Sequence, residues 1–143
     1  MYDFHIHSDF SMDCKYSMED MVLEGIRKNM RSLCFTDHIE FQVTEKKIDI
    51  AFRTKDYFRK TNQILTGVEI GMQPHLSKQY NSFLNKEPFD FVLMSIHSVE
   101  GKDICFDGFL DGKDPTEAIL KYYENILSCV KNFDNYDILG HVD

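Results

Sequence analysis

Five short apolar runs, each carrying or closed by a histidine, aspartate or glutamate, restrict this chain more than any other feature. The first is Met1-Tyr2-Asp3-Phe4-His5-Ile6-His7. Read as a strand, it sends Tyr2, Phe4 and Ile6 to one face and Asp3, His5 and His7 to the other, so two imidazoles at i and i+2 can reach one ion. The second is Leu33-Cys34-Phe35, followed by Thr36-Asp37-His38-Ile39-Glu40. The third, Ile64 to Gly71, carries Glu69; the fourth, Phe89 to Met94, leads into Ser95-Ile96-His97-Ser98. The fifth starts at Tyr136 and ends in Gly140-His141-Val142-Asp143. Helical patterns or long loops separate the runs, which implies parallel strands in repeated β/α units rather than hairpins.

The intervening segments fit that scheme. Ser17 is placed to cap a helix over 18 to 29, with acidic Asp20 at the third helical position and Met18, Val22 and Ile26 on its apolar face beside Met21 and Gly25. Residues 41 to 55 have no clean period and read as a loop, with Lys46, Lys47 and Arg53 making it the most basic stretch; a short helix is expected near 54 to 60. Gly67 and Gly71 permit close backbone approach or a turn around Glu69. Pro74 opens a helix whose buried stripe is Leu76, Tyr80, Phe83 and Leu84. Residues 99 to 114 are too polar for an interior element. Asp114-Pro115-Thr116-Glu117 then starts a helix over 115 to 131, its apolar face being Ala118, Ile119, Tyr122, Ile126 and Val130, with Tyr123 and Cys129 adjacent.

Composition sets the class. With 143 residues, 43% hydrophobic and 28% charged, the chain can bury one real core, and a single domain over 1 to 143 is expected. A formal net charge of -8 argues against a protein that grips a nucleic-acid backbone. Cys14, Cys34, Cys105 and Cys129 form no CxxC pair, which favours free thiols over a disulfide framework or a four-thiolate zinc site. No stretch approaches the length of a membrane span and no basic-then-apolar leader is present, so a cytoplasmic protein with no membrane partner is expected.

In parallel β/α folds the carboxyl ends of the strands carry the site. Here they offer His5, His7, Asp13, Asp37, His38, Glu40, Glu69, His97, His141 and Asp143, which include five of the six histidines in the chain. Imidazole and carboxylate donors without thiolates suit Zn, Mn or Fe. Glu69, reaching from a central strand, is the candidate to bridge two ions.

The HxH at 5 to 7, an Asp in the next loop, Thr-Asp-His-x-Glu at 36 to 40, Gly-x-Glu at 67 to 69, Ser-x-His at 95 to 97 and Gly-His-x-Asp at 140 to 143 resemble the polymerase and histidinol phosphatase (PHP) superfamily. Within it, Leu-Thr-Gly-Val-Glu-Ile-Gly, Ser-Ile-His-Ser-Val and the terminal Ile-Leu-Gly-His-Val-Asp look most like the histidinol-phosphatase type. The resemblance implies an α/β fold, a distorted (β/α)7 TIM-like barrel, present here incompletely with about five parallel strands. It implies two or three divalent ions: His5, His7 and Glu69 on the first, Glu69 with His97 and His141 on the second, Asp13 and His38 on the third. His5, His7, Glu69 and His97 would be catalytic, and Asp37, Glu40 and Asp143 would orient imidazoles or contact substrate.

The activity implied is hydrolysis of a small phosphomonoester, L-histidinol phosphate, to L-histidinol and phosphate in histidine biosynthesis. Alternatives are another phosphoesterase or nuclease of the superfamily, or a non-catalytic metal-binding domain. The family continues beyond the Gly-His-x-Asp motif through further β/α units to an Asp-x-His motif. The chain is therefore expected to be an N-terminal portion, an incomplete enzyme that self-associates through an uncovered sheet edge.

Overall fold

The computed structural model describes residues 1–41, 64–105 and 109–142. The basic stretch, the short helix expected near 54 to 60 and Asp143 lie outside them. The fold is α/β. The main sheet has the order β1 (Tyr2–Ile6), β2 (Ser32–Phe35), β4 (Ile64–Gly71), β5 (Phe91–Ser95) and β8 (Ile138–Leu139), with β3 (His38–Ile39) also beside β4. β1 pairs with β2, β2 with β4 and β3 with β4, all in parallel. The chain divides into two compact units, Met1–Ile70 with Phe89–Leu93, and Gly71–Pro88 with Met94–Asp143.

In the first unit, α1 (Met18–Arg27) begins as its sequence dictates. The Ser17 hydroxyl accepts from the Asp20 N–H at 3.1 Å and donates to the Asp20 carboxylate at 2.7 Å. This satisfies an amide that the first helical turn leaves without a partner. The stripe that packs inward is Met18, Met21, Val22 and Gly25, a run at i, i+3, i+4 and i+7. Ile26, expected on that face, lies one position beyond it and is 64% exposed. Gly25 lets the helix lie almost on β2: a Cβ there would stand 2.6 Å from Leu33 Cδ1.

The alternation expected for β1 is broken. Asp3 pairs with Leu33 but Ile6 with Phe35, so three residues of β1 advance against two of β2, the signature of a bulge. Ile6 consequently joins Met18, Leu33 and Phe35 in one core cluster, whereas Phe4 lies 5.5 Å, ring to ring, from Phe91. Phe91 packs with Cys34 and Leu93, and Cys34 points to the face of β2 opposite Leu33 and Phe35. Phe4 and Ile6 therefore serve opposite faces. Tyr2 and Phe4 stay exposed; among the described residues β1 has a neighbour on one side alone in the strand order.

In the second unit, Pro74 opens a 3-10 turn, Pro74–Leu76, that leads into α2 (Ser77–Leu84). Leu76, Tyr80 and Leu84 are buried as expected, and the Tyr80 hydroxyl donates to the Gly71 carbonyl at 2.9 Å. The polar loop after β5, read as a plain loop from the sequence, holds a small antiparallel hairpin, β6 (Ser98–Val99) with β7 (Lys102–Asp103), outside the main sheet. Its two-residue turn, Glu100-Gly101, has positive φ at both positions, 54° and 74°, the backbone that matches strand twist in a tight hairpin.

α3 (Pro115–Asn132) starts where Asp114 accepts from the N–H groups of Thr116 and Glu117. It buries Ala118, Ile126 and Cys129, while Ile119 is 55% exposed and Val130 is also exposed, so its inward stripe is narrower than the sequence pattern predicts. The Gly140 N–H donates to the Met94 carbonyl at 2.8 Å, tying the end of β8 to β5. Among the described residues no helix is long and apolar enough to cross a membrane.

Candidate metal centre

Four of the expected ligands meet at the carboxyl ends of strands in the first unit. His7 follows the last residue of β1; Asp13 lies in the loop after it; His38 opens β3; Glu69 sits in β4, directly opposite His38 in the register. The His38–Glu69 pairing is reinforced by the Glu69 N–H donating to the Asp37 carbonyl at 3.1 Å.

Glu69 is fully buried. Its Oε2 lies 2.9 Å from His7 Nε2, 3.1 Å from His38 Nδ1 and 3.8 Å from His5 Nε2. On the outer side, Asp13 Oδ2 lies 2.9 Å from His7 Nδ1 and 3.3 Å from His38 Nε2. The two imidazoles thus each stand between the same two carboxylates, and a Glu40 carboxylate oxygen comes within 4.8 Å of a His38 ring nitrogen.

This closed arrangement constrains charge. A neutral imidazole has one N–H and one lone pair, so it can donate to one carboxylate but must turn a lone pair toward the other. With both carboxylates ionised, a neutral His7 ring cannot satisfy Glu69 and Asp13 together. The position therefore favours cationic charge, carried either by a proton on His7 or by an ion held among the same atoms. The titration of His7 reflects this. Burial, the largest single influence, disfavours its imidazolium, but the hydrogen bonds and charges of Glu69 and Asp13 together outweigh it and raise its pKa above 6.5. Burial likewise disfavours the Asp13 carboxylate, yet His7 and His38 hold its pKa below the ordinary value. Imidazole and carboxylate donors so placed fit divalent Zn, Mn or Fe.

Neighbours with no metal-binding role in the sequence reading fix the donors. Thr36 Oγ1, fully buried, is hydrogen-bonded to His5 Nδ1 at 2.7 Å, which leaves Nε2 facing Glu69. Asp37 is buried too. Its Oδ1 accepts from the Ser8 N–H at 2.7 Å and the Ser11 hydroxyl at 2.6 Å, and its Oδ2 accepts from the Ser8 hydroxyl at 2.7 Å. Both oxygens are thus turned into the protein rather than toward a substrate. Ser8, Ser11 and Thr36 escaped the sequence reading because serine and threonine beside a ligand look like ordinary loop residues. The Thr-Asp-His order was the one signal available.

In the second unit, His97 follows β5 and His141 follows β8, and their rings stack with centroids 5.5 Å apart at an interplanar angle of 18°. The Tyr122 hydroxyl donates to the His141 carbonyl at 3.1 Å, so α3 anchors the backbone of that histidine. The fully buried Ser95, two residues before His97, has its hydroxyl without a hydrogen-bond partner among the described residues.

Known proteins are similar to this chain in sequence and fold. The PHP domain family matches residues 3–143. The chain is 31% identical to the histidinol-phosphatase of Lactococcus lactis subsp. lactis (strain IL1403), over 99% of this chain and 56% of that protein. It is also 31% identical to a probable histidinol-phosphatase of Clostridium acetobutylicum, over 100% of this chain and 57% of that protein. A crystal structure of histidinol phosphate phosphatase from Lactococcus lactis, in complex with zinc, L-histidinol and phosphate, superposes with a TM-score of 0.81 at 27% identity, covering 99% of this chain and 57% of that one. The chain thus spans a little over half the length of these relatives. With a family match running over almost its whole length, and with donors at its strand ends, the chain belongs to the PHP domain family.

Proposed function

We propose that this chain is part of a metal-dependent phosphomonoester hydrolase that acts on L-histidinol phosphate, releasing L-histidinol and phosphate. The observation that carries the reading is the pair of imidazoles, His7 and His38, each held between the Glu69 and Asp13 carboxylates. The Lactococcus lactis relatives support the choice of substrate. His5, His7, Asp13, His38 and Glu69 would hold ions in the first unit, and His97 and His141 are the further ligands that the family motifs assign. Divalent ions at such donors lower the pKa of bound water toward neutrality and offset the charge of a phosphoryl group.

The chain's own residues do the rest. Glu69, buried and shared by two imidazoles, fixes the spacing of the donors. Thr36 holds the His5 ring so that one nitrogen faces inward. Asp13, the most exposed of the carboxylates that contact these rings, marks the side from which a phosphate approaches. Glu40, half-buried beside His38, supplies negative charge for the cationic amino-imidazolyl end of the substrate.

Phosphate release from L-histidinol phosphate, from a panel of other monoesters and from a nucleotide-ended strand tests this, using metal-loaded protein and a version extended through the later β/α units. Selective release from histidinol phosphate is expected, faster in the extended protein. Preference for the strand end would replace the reading with a nuclease. Metal binding without turnover in either version would leave a non-catalytic domain.

A further inference from the structure

The Asp37 carboxylate joins three parts of the chain that each border a candidate ligand. Ser8 immediately follows His7, Ser11 lies two residues before Asp13, and Asp37 immediately precedes His38. We propose that Asp37 is a positioning residue for the metal centre: it clasps the Ser8–Ser11 turn to the end of β2 and thereby sets His7 and Asp13 at the distance from His38 that an ion requires. This inference rests on the metal reading above.

The geometry favours a clasp over simple loop support. Three donors converge on one carboxylate at 2.6 to 2.7 Å, and all three side chains involved are buried, Ser8 and Ser11 as well as Asp37. Such hydrogen bonds to an ionised acceptor are short and about twice as strong as neutral ones. Away from water they have no competitor. The Ser11 hydroxyl is also a relay, since it donates to Asp37 and accepts from the His38 N–H at 3.1 Å. One hydroxyl thus ties the loop that bears Asp13 to the backbone of the ligand it faces. The turn itself is closed by the Ser11 N–H donating to the Ser8 carbonyl at 2.9 Å. With both ends of the Ser8–Ser11 turn, which runs from His7 toward Asp13, referenced to the same carboxylate, the His7–Asp13–His38 triangle has little freedom to open.

Cobalt(II) binding tests the clasp without depending on turnover. In Asp37→Asn, Oδ1 keeps its two donors and the new amide faces the Ser8 hydroxyl, which can rotate to accept, so the fold is expected to survive. Co(II) affinity, measured by competition with a chelator, should fall about 10- to 100-fold, the range that loss of a ligand-supporting partner costs. The visible Co(II) band should change shape, because the donors no longer hold one geometry. A role confined to holding the loop folded would lower the metal-free melting temperature and leave that band unchanged. Ser11→Ala, which removes both links of the relay, carries the same expectation where Asp37→Asn does not fold.

Wild-type affinity and band shape in a folded variant would overturn the positioning role. Wild-type protein that binds no Co(II), or His7→Ala that keeps the wild-type band, would overturn the metal reading and the clasp with it.

Discussion

Replacing Gly67 by alanine should damage this protein more than its single added methyl suggests. Gly67 lies in β4, two residues before Glu69, and an added Cβ would stand 2.8 Å from Cys34 Sγ, 2.8 Å from Thr36 Cγ2 and 3.0 Å from the Phe91 carbonyl oxygen. Its backbone is one that alanine adopts without strain, so the whole effect is steric. Cys34 and Thr36 are fully buried and the third obstacle is main chain, so β4 or its neighbours must move. Overpacking of a close-packed interior costs about 1–3 kcal/mol, and a backbone obstacle argues for the upper half, roughly 2–3 kcal/mol. For a chain of this size that is a loss of roughly 6–12 °C in melting temperature. Displacement of Thr36 would also loosen its 2.7 Å bond to His5, so metal uptake should fall in the same variant.

Gly25→Ala is the control. Its Cβ would come still closer, 2.6 Å, but to Leu33 Cδ1, the end of a flexible side chain. Alanine there regains about 0.8–1 kcal/mol of helix propensity, so the net change should stay within about 1 kcal/mol. Thermal melts of both variants in chelator-treated buffer, followed by circular dichroism, decide the matter. A Gly67→Ala protein as stable as wild type, or one that loses less than Gly25→Ala, would refute the argument that β4 is fixed against β2 and β5.

Glu69→Gln keeps the shape but removes the charge that both imidazoles face, and should weaken metal affinity by more than the roughly 10- to 100-fold expected on losing a supporting partner; metal analysis after dialysis and the phosphate-release assay both measure it. Unchanged stoichiometry would remove Glu69 from the centre. Alkylation at pH 8 with iodoacetamide should mark Cys105 readily and Cys14 more slowly, and spare Cys34 and Cys129, all of them free thiols. Burial pushes the Cys129 thiol up to about 11, so little thiolate is available even before access is considered; mass spectrometry of peptides reads the order. Ser17→Ala removes the cap of α1 and should cost about 1 kcal/mol in urea titrations, with metal binding unchanged because the helix start bears no donor.

The strand ends and the candidate donors beside them are legible in the sequence because an imidazole or carboxylate closing an apolar run is a local signal. β4 was predicted at its observed bounds, and the caps at Ser17 and Asp114 form as read. What failed was decided by the partner strand or by distance in space. The bulge in β1 cannot be seen in Tyr2-Asp3-Phe4-His5-Ile6, since it exists only against the count of residues in β2. β3 has two residues and the β6–β7 hairpin four, too few for a period to register. On α1 and α3 the pattern contained more apolar residues than the core could take, and only packing decides that Ile26 and Ile119 face outward. The Ser8, Ser11 and Asp37 network spans 29 residues of sequence; Asp37 stands out as a carboxylate at a strand end, but Ser8 and Ser11 are of no type that singles itself out, and only the fold brings them to it.

The run Thr36-Asp37-His38 shows how a strand end builds both a donor and its support. Side chains at i and i+2 leave an extended chain on one side, and the residue between them leaves on the other. Thr36 reaches His5 and His38 reaches Glu69 and Asp13, so both serve the donor side; Asp37, between them, reaches Ser8 and Ser11 and anchors the loop from behind. Neighbouring strands lie about 4.8 Å apart, so donors from the ends of β1, β3 and β4 already fall near one another before any side chain is tuned. The sheet supplies proximity. Final geometry must come from groups that restrict the rings and the loop, and these are the buried hydroxyls and the Asp37 carboxylate. Replacing such a group can therefore leave the strands in place and still spread the donors too far apart to share an ion.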